Sequence, residues 1–151
     1  MAATRPGETV TLSAEDRLDI LELLARADTA ASDRDADAYL ALFSDDAVLD
    51  GAQGDYRGKD ALREAVGRIW PAEPPGTVHL TLNATIDPAG EQDGEPAAMA
   101  RSVLVIVGPG PASAIVHVAR IAQQVRRSGG TWRIIRRTVG ASGVGASGEA
   151  S

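Results

Sequence analysis

Only two side chains in this 151-residue sequence titrate near neutral pH unaided, His79 and His117. An imidazole suits the removal of a proton beside a carbonyl or a leaving group, which makes His79 the candidate general base. Its place in the alternation Val78-His79-Leu80-Thr81-Leu82-Asn83 puts it on the polar side of a strand, facing either solvent or a polar cavity. Asn83 shares that side and could orient a ligand carbonyl, Arg101 could take an anion, and Asp50 is a second candidate base. Carboxylates crowd Asp33-Arg34-Asp35-Ala36-Asp37, where Asp33 alone reads first as a helix cap. The chain has no cysteine, which excludes disulfides, thiolate zinc sites and a cysteine nucleophile. Two histidines are too few for a typical zinc site, so neither a metal nor a cofactor is expected.

These residues must be positioned by one domain, since 151 residues at 44% hydrophobic content suffice for a single core. Ser13 with Glu15 and Asp16 predicts a helix start, and Leu18, Leu21, Leu24, Ala25 and Asp28 carry a helical repeat to Ser32. Tyr39 to Phe43 form a short second helix and Ala47-Val48-Leu49 a strand. A loop then carries Tyr56, and Leu62 to Ile69 predict a third helix closed by Trp70-Pro71. The remainder reads as strands: one from Val78, one over Met99–Val107, and a last hairpin of Ile115–Val125 and Trp132–Val139. Between the first two, Asp87 to Pro96 reads as a turn. Helices first and strands after is the order of an α+β fold with helices on one face of a sheet. Residues 1–12 read as a flexible N-terminus, 13–139 as the domain, and 140–151 as a disordered Gly/Ala/Ser tail.

A net charge of −6 and a pI near 4.8 repel a phosphate backbone, so no nucleic-acid partner is expected. The basic cluster of Arg126, Arg127, Arg133, Arg136 and Arg137 reads as the wet face of the last hairpin. With neither a signal-like apolar start nor a run of roughly 20 apolar residues, the expectation is a cytoplasmic protein without membrane contact. Aromatic residues make up only 3% of the chain, which predicts cavity walls of Ala, Val, Leu and Ile.

Three stretches resemble SnoaL-like domains of the nuclear transport factor 2-like superfamily: residues 31–37, Leu42-Phe43-Ser44-Asp45-Asp46-Ala47-Val48-Leu49, and Tyr56-Arg57-Gly58-Lys59-Asp60-Ala61-Leu62. Gly129-Gly130-Thr131-Trp132-Arg133-Ile134-Ile135-Arg136-Arg137 resembles the family's closing strand. The resemblance implies a cone-shaped, curved mixed sheet with three N-terminal helices around one pocket. At Asp33 and His79 the chain is similar to lyases such as scytalone dehydratase and hexachlorocyclohexane dehydrochlorinase, which implies an Asp33–His79 dyad. The ring would be fixed by the carboxylate and would act in elimination of water or halide. The family register further implies that His117, Ile121 and Gln123 face the pocket, with Asn83, Tyr56 and Trp70 as further substrate contacts. Where scytalone dehydratase-like enzymes carry a tyrosine before the dyad carboxylate, this chain has Ser32, which leaves the acid for the leaving group unassigned.

The resemblance thus leans toward a cofactor-independent lyase acting on a small hydrophobic or carbonyl-containing substrate. A SnoaL-like cyclase or an isomerase acting on a polyketide- or steroid-like substrate, and a non-catalytic ligand-binding dimer, are the alternatives. A homo-oligomer is expected through an apolar strip of Val116, Val118 and Ala122 on the face away from the pocket.

Overall fold

A computed structural model of the chain describes residues 11–51, 54–110 and 114–140. The expected flexible N-terminus and the Gly/Ala/Ser tail lie outside the described residues except for Thr11, Leu12 and Gly140, and Leu12 is packed in the core. Three helices, α1 (Ala14–Ser32), α2 (Ala36–Leu40) and α3 (Lys59–Ala72), are interleaved with strands β1 (Phe43–Gly51) and β2 (Gly54–Arg57). Four long strands follow: β3 (Val78–Gln92), β4 (Glu95–Val107), β5 (Ile115–Ser128) and β6 (Thr131–Val139). The six strands form one curved sheet in the order β2-β1-β6-β5-β4-β3, antiparallel except where β1 runs parallel to β6. This is the α+β architecture that the order of elements predicts.

α1 begins at a reciprocal capping box, in which Ser13 Oγ accepts from the Asp16 N–H at 2.9 Å and the Asp16 carboxylate accepts from the Ser13 N–H at 3.2 Å. The helix buries Ile20, Leu23, Leu24, Ala27 and Ala31, a stripe rotated from the expected one, so Leu18 and Leu21 stay exposed. Ile20 and Leu24 meet Phe43, Leu62, Val125 and Ile134 in the main core between the helices and the inner face of the sheet. Leu104, Ile106 and Ile121 form a second apolar cluster, and Val139 packs against both.

Several boundaries differ from expectation. Tyr56 lies in β2 rather than in a loop, Phe43 opens β1, and α3 runs through Pro71 to Ala72 because a proline near a C-terminus removes only one backbone donor. The predicted turn of Asp87 to Pro96 shrinks to Asp93-Gly94, with φ of 54° and 77°; the last hairpin turns at Gly129-Gly130, with φ of 59° and 81°. Two successive residues at positive φ match the right-handed twist of the strands they join.

Of the register shifts in the sheet, two change the facing of long stretches of β3 and β6. In β3, Leu82 pairs with Val103 but Thr85 pairs with Arg101, which leaves one extra residue on β3 at Asn83, whose φ is 56°. Val78, Leu80 and Leu82 therefore point outward, whereas Ala84 and Ile86, beyond the bulge, pack on the core; the uniform alternation expected from Val78 to Ile86 is broken there. In β6, Val125 pairs with Ile134 but Gln124 pairs with Arg136, so Ile135 is the extra residue. Trp132 and Ile134 face inward before that slip and Arg137 after it. Among the described residues, no helix is long and apolar enough to cross a membrane.

Asp16 ties α1 to the last hairpin, since its carboxylate also accepts from Trp132 Nε1 and Arg127 Nη1, each at 3.2 Å. Burial pushes its pKa up, but the hydrogen bonds from Ser13 and Trp132 and the charge of Arg127 outweigh that and hold it below the usual 3.8. A lowered carboxylate pKa contributes stability above its unfolded value and loses it as the pH falls through the folded one. Asp16→Asn is expected to cost about 1–2 kcal/mol at pH 7 by urea unfolding. The gap from the parent protein should narrow as the pH drops below 3.8.

Candidate active site

α3 presents Val66, Trp70 and Glu73 on one face, four and then three residues apart, which is the spacing of side chains stacked along a helix. Glu73 is the residue that caps α3, and its carboxylate sits between two partners. Glu73 Oε2 lies 2.7 Å from His79 Nε2 and 3.3 Å from Arg34 Nη2. The His79 and Glu73 side chains are 7% and 12% exposed. Arg34 holds a positive φ of 57° at the corner between α1 and α2, and also donates to the Ala31 carbonyl at 2.9 Å. A carboxylate can only accept, so His79 Nε2 carries the proton and Nδ1 is left as the basic nitrogen. Among the described residues no hydrogen bond reaches Nδ1.

Both residues line a cavity of about 280 Å³ between the helices and the inner face of the sheet. Its walls include Tyr39, Tyr56, Trp70, Leu104, Ile106 and Val139, with His117 and Arg137 as further polar groups. Three of the five aromatic residues of the chain thus gather here, Tyr56 and Trp70 as expected, a larger aromatic share than walls of mainly aliphatic residues imply. Low abundance does not prevent concentration at one place. Tyr39 packs edge-on to Trp70 at 5.3 Å between ring centroids and tilts against Phe43 at 4.9 Å. Burial raises the pKa of its phenol; the charge of Arg137 opposes that rise and Asp28 adds to it.

The residues expected at the site distribute as follows. His79 is inside, and His117 lines the same cavity, since both flank Ile106 across the inner faces of three adjacent strands. Tyr56 and Trp70 also line it, and the Tyr56 hydroxyl accepts from Arg68 at 2.7 Å. Asp33 does not reach His79: it is the C-cap residue of α1, its side chain is exposed, and its N–H donates to the Thr29 carbonyl at 2.9 Å. Each residue turns a helix by about 100°, so the facing position falls to Ser32. Ser32 Oγ accepts from the backbone N–H of His79 at 2.9 Å. Gln123 and Ile121 are on the inner face as the register implied, yet they are buried behind the cavity wall.

Asn83 is exposed at the β3 bulge, and Arg101 is on the outer face beside Asp87 at 3.7 Å. Asp50 faces away from the cavity, paired with Arg136 and accepting from Thr138 at 3.2 Å. The arginine cluster is dispersed among ion pairs, with Arg126 on Asp93, Arg127 on Asp16 and Arg136 on Asp50. Arg137 is the exception to the wet-face reading, buried at the cavity wall because of the β6 bulge. Among the described residues no three His, Asp or Glu side chains converge as metal ligands.

The sequence matches the SnoaL-like domain over residues 12–138. The chain belongs to the SnoaL-like domain family. The structure is similar to a cystatin-like-fold protein of unknown function from Nostoc punctiforme, at 30% identity and a TM-score of 0.75 over 86% of this chain and 93% of the other. It is similar to a variant of a function-unknown protein from Mycobacterium tuberculosis, at 25% identity and a TM-score of 0.70 over 83% of this chain and 70% of the other. A candidate scytalone dehydratase from Novosphingobium aromaticivorans shares the fold at 19% identity and a TM-score of 0.67, over 83% of each chain. No protein of curated function matches the sequence.

Sequence reasoning on this SnoaL-like domain missed Glu73 and Arg137 as cavity residues and left open whether Tyr39 or Tyr56 stands in for the tyrosine absent at Ser32. The helical spacing Val66-Trp70-Glu73 was a signal for the first; no sequence pattern announces the bulge that turns Arg137 inward. Glu73→Ala strips a buried imidazole and a half-buried guanidinium of their partner and should cost about 1–3 kcal/mol in chemical unfolding. Asp33→Asn, at an exposed cap, should stay within about 0.5 kcal/mol of the parent.

Proposed function

We propose that the cavity is a cofactor-independent active site in which His79 acts as general base and Glu73 orients it, in elimination or isomerisation beside a carbonyl. The observation that carries this reading is the buried 2.7 Å contact between His79 Nε2 and Glu73 Oε2 at the wall of an apolar cavity. The carboxylate fixes the tautomer and stabilises the imidazolium that forms when Nδ1 takes a proton, and Arg34 anchors the carboxylate from behind. Asp33 has no part in this arrangement; Glu73 fills the role that the family resemblance assigned to it.

In an elimination, the C–H electron pair becomes the new C=C bond while the leaving oxygen departs with its bonding pair and needs a proton. Tyr39 is the candidate donor, because a buried phenol with a raised pKa stays protonated at neutral pH and lies on the same cavity. Membership of the SnoaL-like family fits such chemistry, and fits an isomerase or cyclase that uses the same base.

The outer sheet face carries Leu80, Leu82, Val116 and Val118, the last 58% exposed, and we place the contact of a homodimer there. Light scattering after size exclusion should give a dimer for the parent chain and a monomer for Val118→Glu. A monomeric parent chain would remove the dimer from this reading.

The chemistry is tested by screening β-hydroxy and β-halo carbonyl compounds for growth of conjugated-product absorbance. His79→Ala should lower kcat by about 10²–10⁴-fold. Glu73→Gln should lower it by about ten-fold or more, and Asp33→Asn should leave it unchanged. Tyr39→Phe should slow loss of hydroxide far more than loss of halide, which needs no proton. Compounds that bind without turnover would make the domain a ligand-binding module.

A further inference from the structure

Arg137 is 5% exposed, and its guanidinium Nη1 donates to Gln123 Oε1 at 3.2 Å. Among the described residues no carboxylate oxygen comes within the 4.0 Å of an ion pair. Arg34, Arg126, Arg127 and Arg136 each have such a partner, two of them at positions far more exposed to water than Arg137. A buried cation without a counter-charge costs several kcal/mol, and a folded chain ordinarily pairs it. Behind it, Gln123 is 0% exposed and its Nε2 has no hydrogen-bond partner, so this polar pair is held in the wall at a further cost. The guanidinium therefore meets the cavity with one edge fixed by Gln123 and its remaining N–H groups uncommitted.

We propose that Arg137 is the anion-recognition residue of the cavity, and that the ligand is a carboxylate carried on an apolar body of one or two rings. The inference deepens the reading of the cavity as a substrate site and rests on it. The charge lining the cavity selects a single negative charge: Glu73 is already matched by Arg34, which leaves one guanidinium to be neutralised. Its fork can hold a carboxylate bidentately, and a single uncompensated positive charge in an apolar wall suits a monoanion better than a dianionic phosphate. The volume, about 280 Å³, exceeds the ~150 Å³ that accommodates benzene, and Tyr39, Trp70 and the aliphatic wall suit a flat ring. Asp28 is a further anion on the Tyr39 side, raising the phenol pKa where Arg137 lowers it, and it forms no ion pair with the guanidinium.

2-Naphthoate and its neutral counterpart 2-naphthamide are the probes, with binding read by calorimetry and by the fluorescence of Trp70. The parent protein should bind naphthoate about ten-fold or more tightly than the amide. Arg137→Gln should erase that preference while keeping the affinity for the amide, and Asp33→Asn, at the exposed cap of α1, should keep the preference intact. Should Arg137→Gln fail to fold, Gln123→Leu provides the second variant, and a reduced naphthoate preference is expected. Equal binding of acid and amide by the parent protein, or binding of neither, overturns the proposal. Naphthoate preference without turnover of any carbonyl substrate overturns only the catalytic reading.

Discussion

One carboxylate joins the three parts of the molecule that enclose the cavity. Glu73 stands at the end of α3, Arg34 at the corner after α1, and His79 near the start of the edge strand β3; all three meet at Glu73 Oε2. In an apolar surround such a contact is strengthened by the low dielectric and loses little to water. Its loss would leave a guanidinium and an imidazole without this partner, so the position of the helices over the sheet and the orientation of the His79 ring are settled together. Arg34 adopts a left-handed backbone at a cost of roughly 1–2 kcal/mol, which the carboxylate and the Ala31 carbonyl repay by fixing its side chain.

The cavity also depends on phase. A strand alternates faces with period two, and a single extra residue reverses every side chain beyond it. Without the slip at Ile135, Arg137 would share the outer face with Arg133 and Trp132 would share the inner face with Arg136. With it, Arg137 and Val139 face the cavity in place of Arg136 and Thr138, and Asp50 is left to neutralise Arg136 on the far side. The bulge at Asn83 has the opposite consequence in β3, where His79 and Thr81 face inward before it and Ala84 and Ile86 after it. The polar end of that strand serves the cavity while its apolar end closes the core.

This is why the fold was more legible in the sequence than the site. The capping box at Ser13, the order of helices and strands, and the paired glycines of the last hairpin are local signals, and each marks the element it predicts. The inward facing of His79 follows from alternation near the start of β3, before any slip accumulates, whereas His117 reaches the cavity just past a slip at Val116. Facing beyond a bulge is not local: it depends on how Ile135 meets β5, which no short motif states. The helix stripe misled for a related reason, since Leu18 and Leu21 satisfy the same periodicity as Ile20, Leu23 and Leu24, and tertiary packing decides between the two faces.

The difference between Asp33 and Ser32 shows how one position determines the partner of the His79 ring. Ser32 Oγ donates to the Asp28 carbonyl at 2.8 Å and accepts from the His79 N–H at 2.9 Å. A hydroxyl can do both at once, whereas a carboxylate in that place would set an acceptor against the helix carbonyl. β3 is an edge strand, so the N–H of His79 must find a partner outside the sheet, and the end of α1 supplies one. With a neutral hydroxyl spent on the backbone of His79, the ring has to be oriented by another group. The C-cap of α3, one turn beyond Trp70, is the place from which a carboxylate reaches Nε2, and Glu73 occupies it.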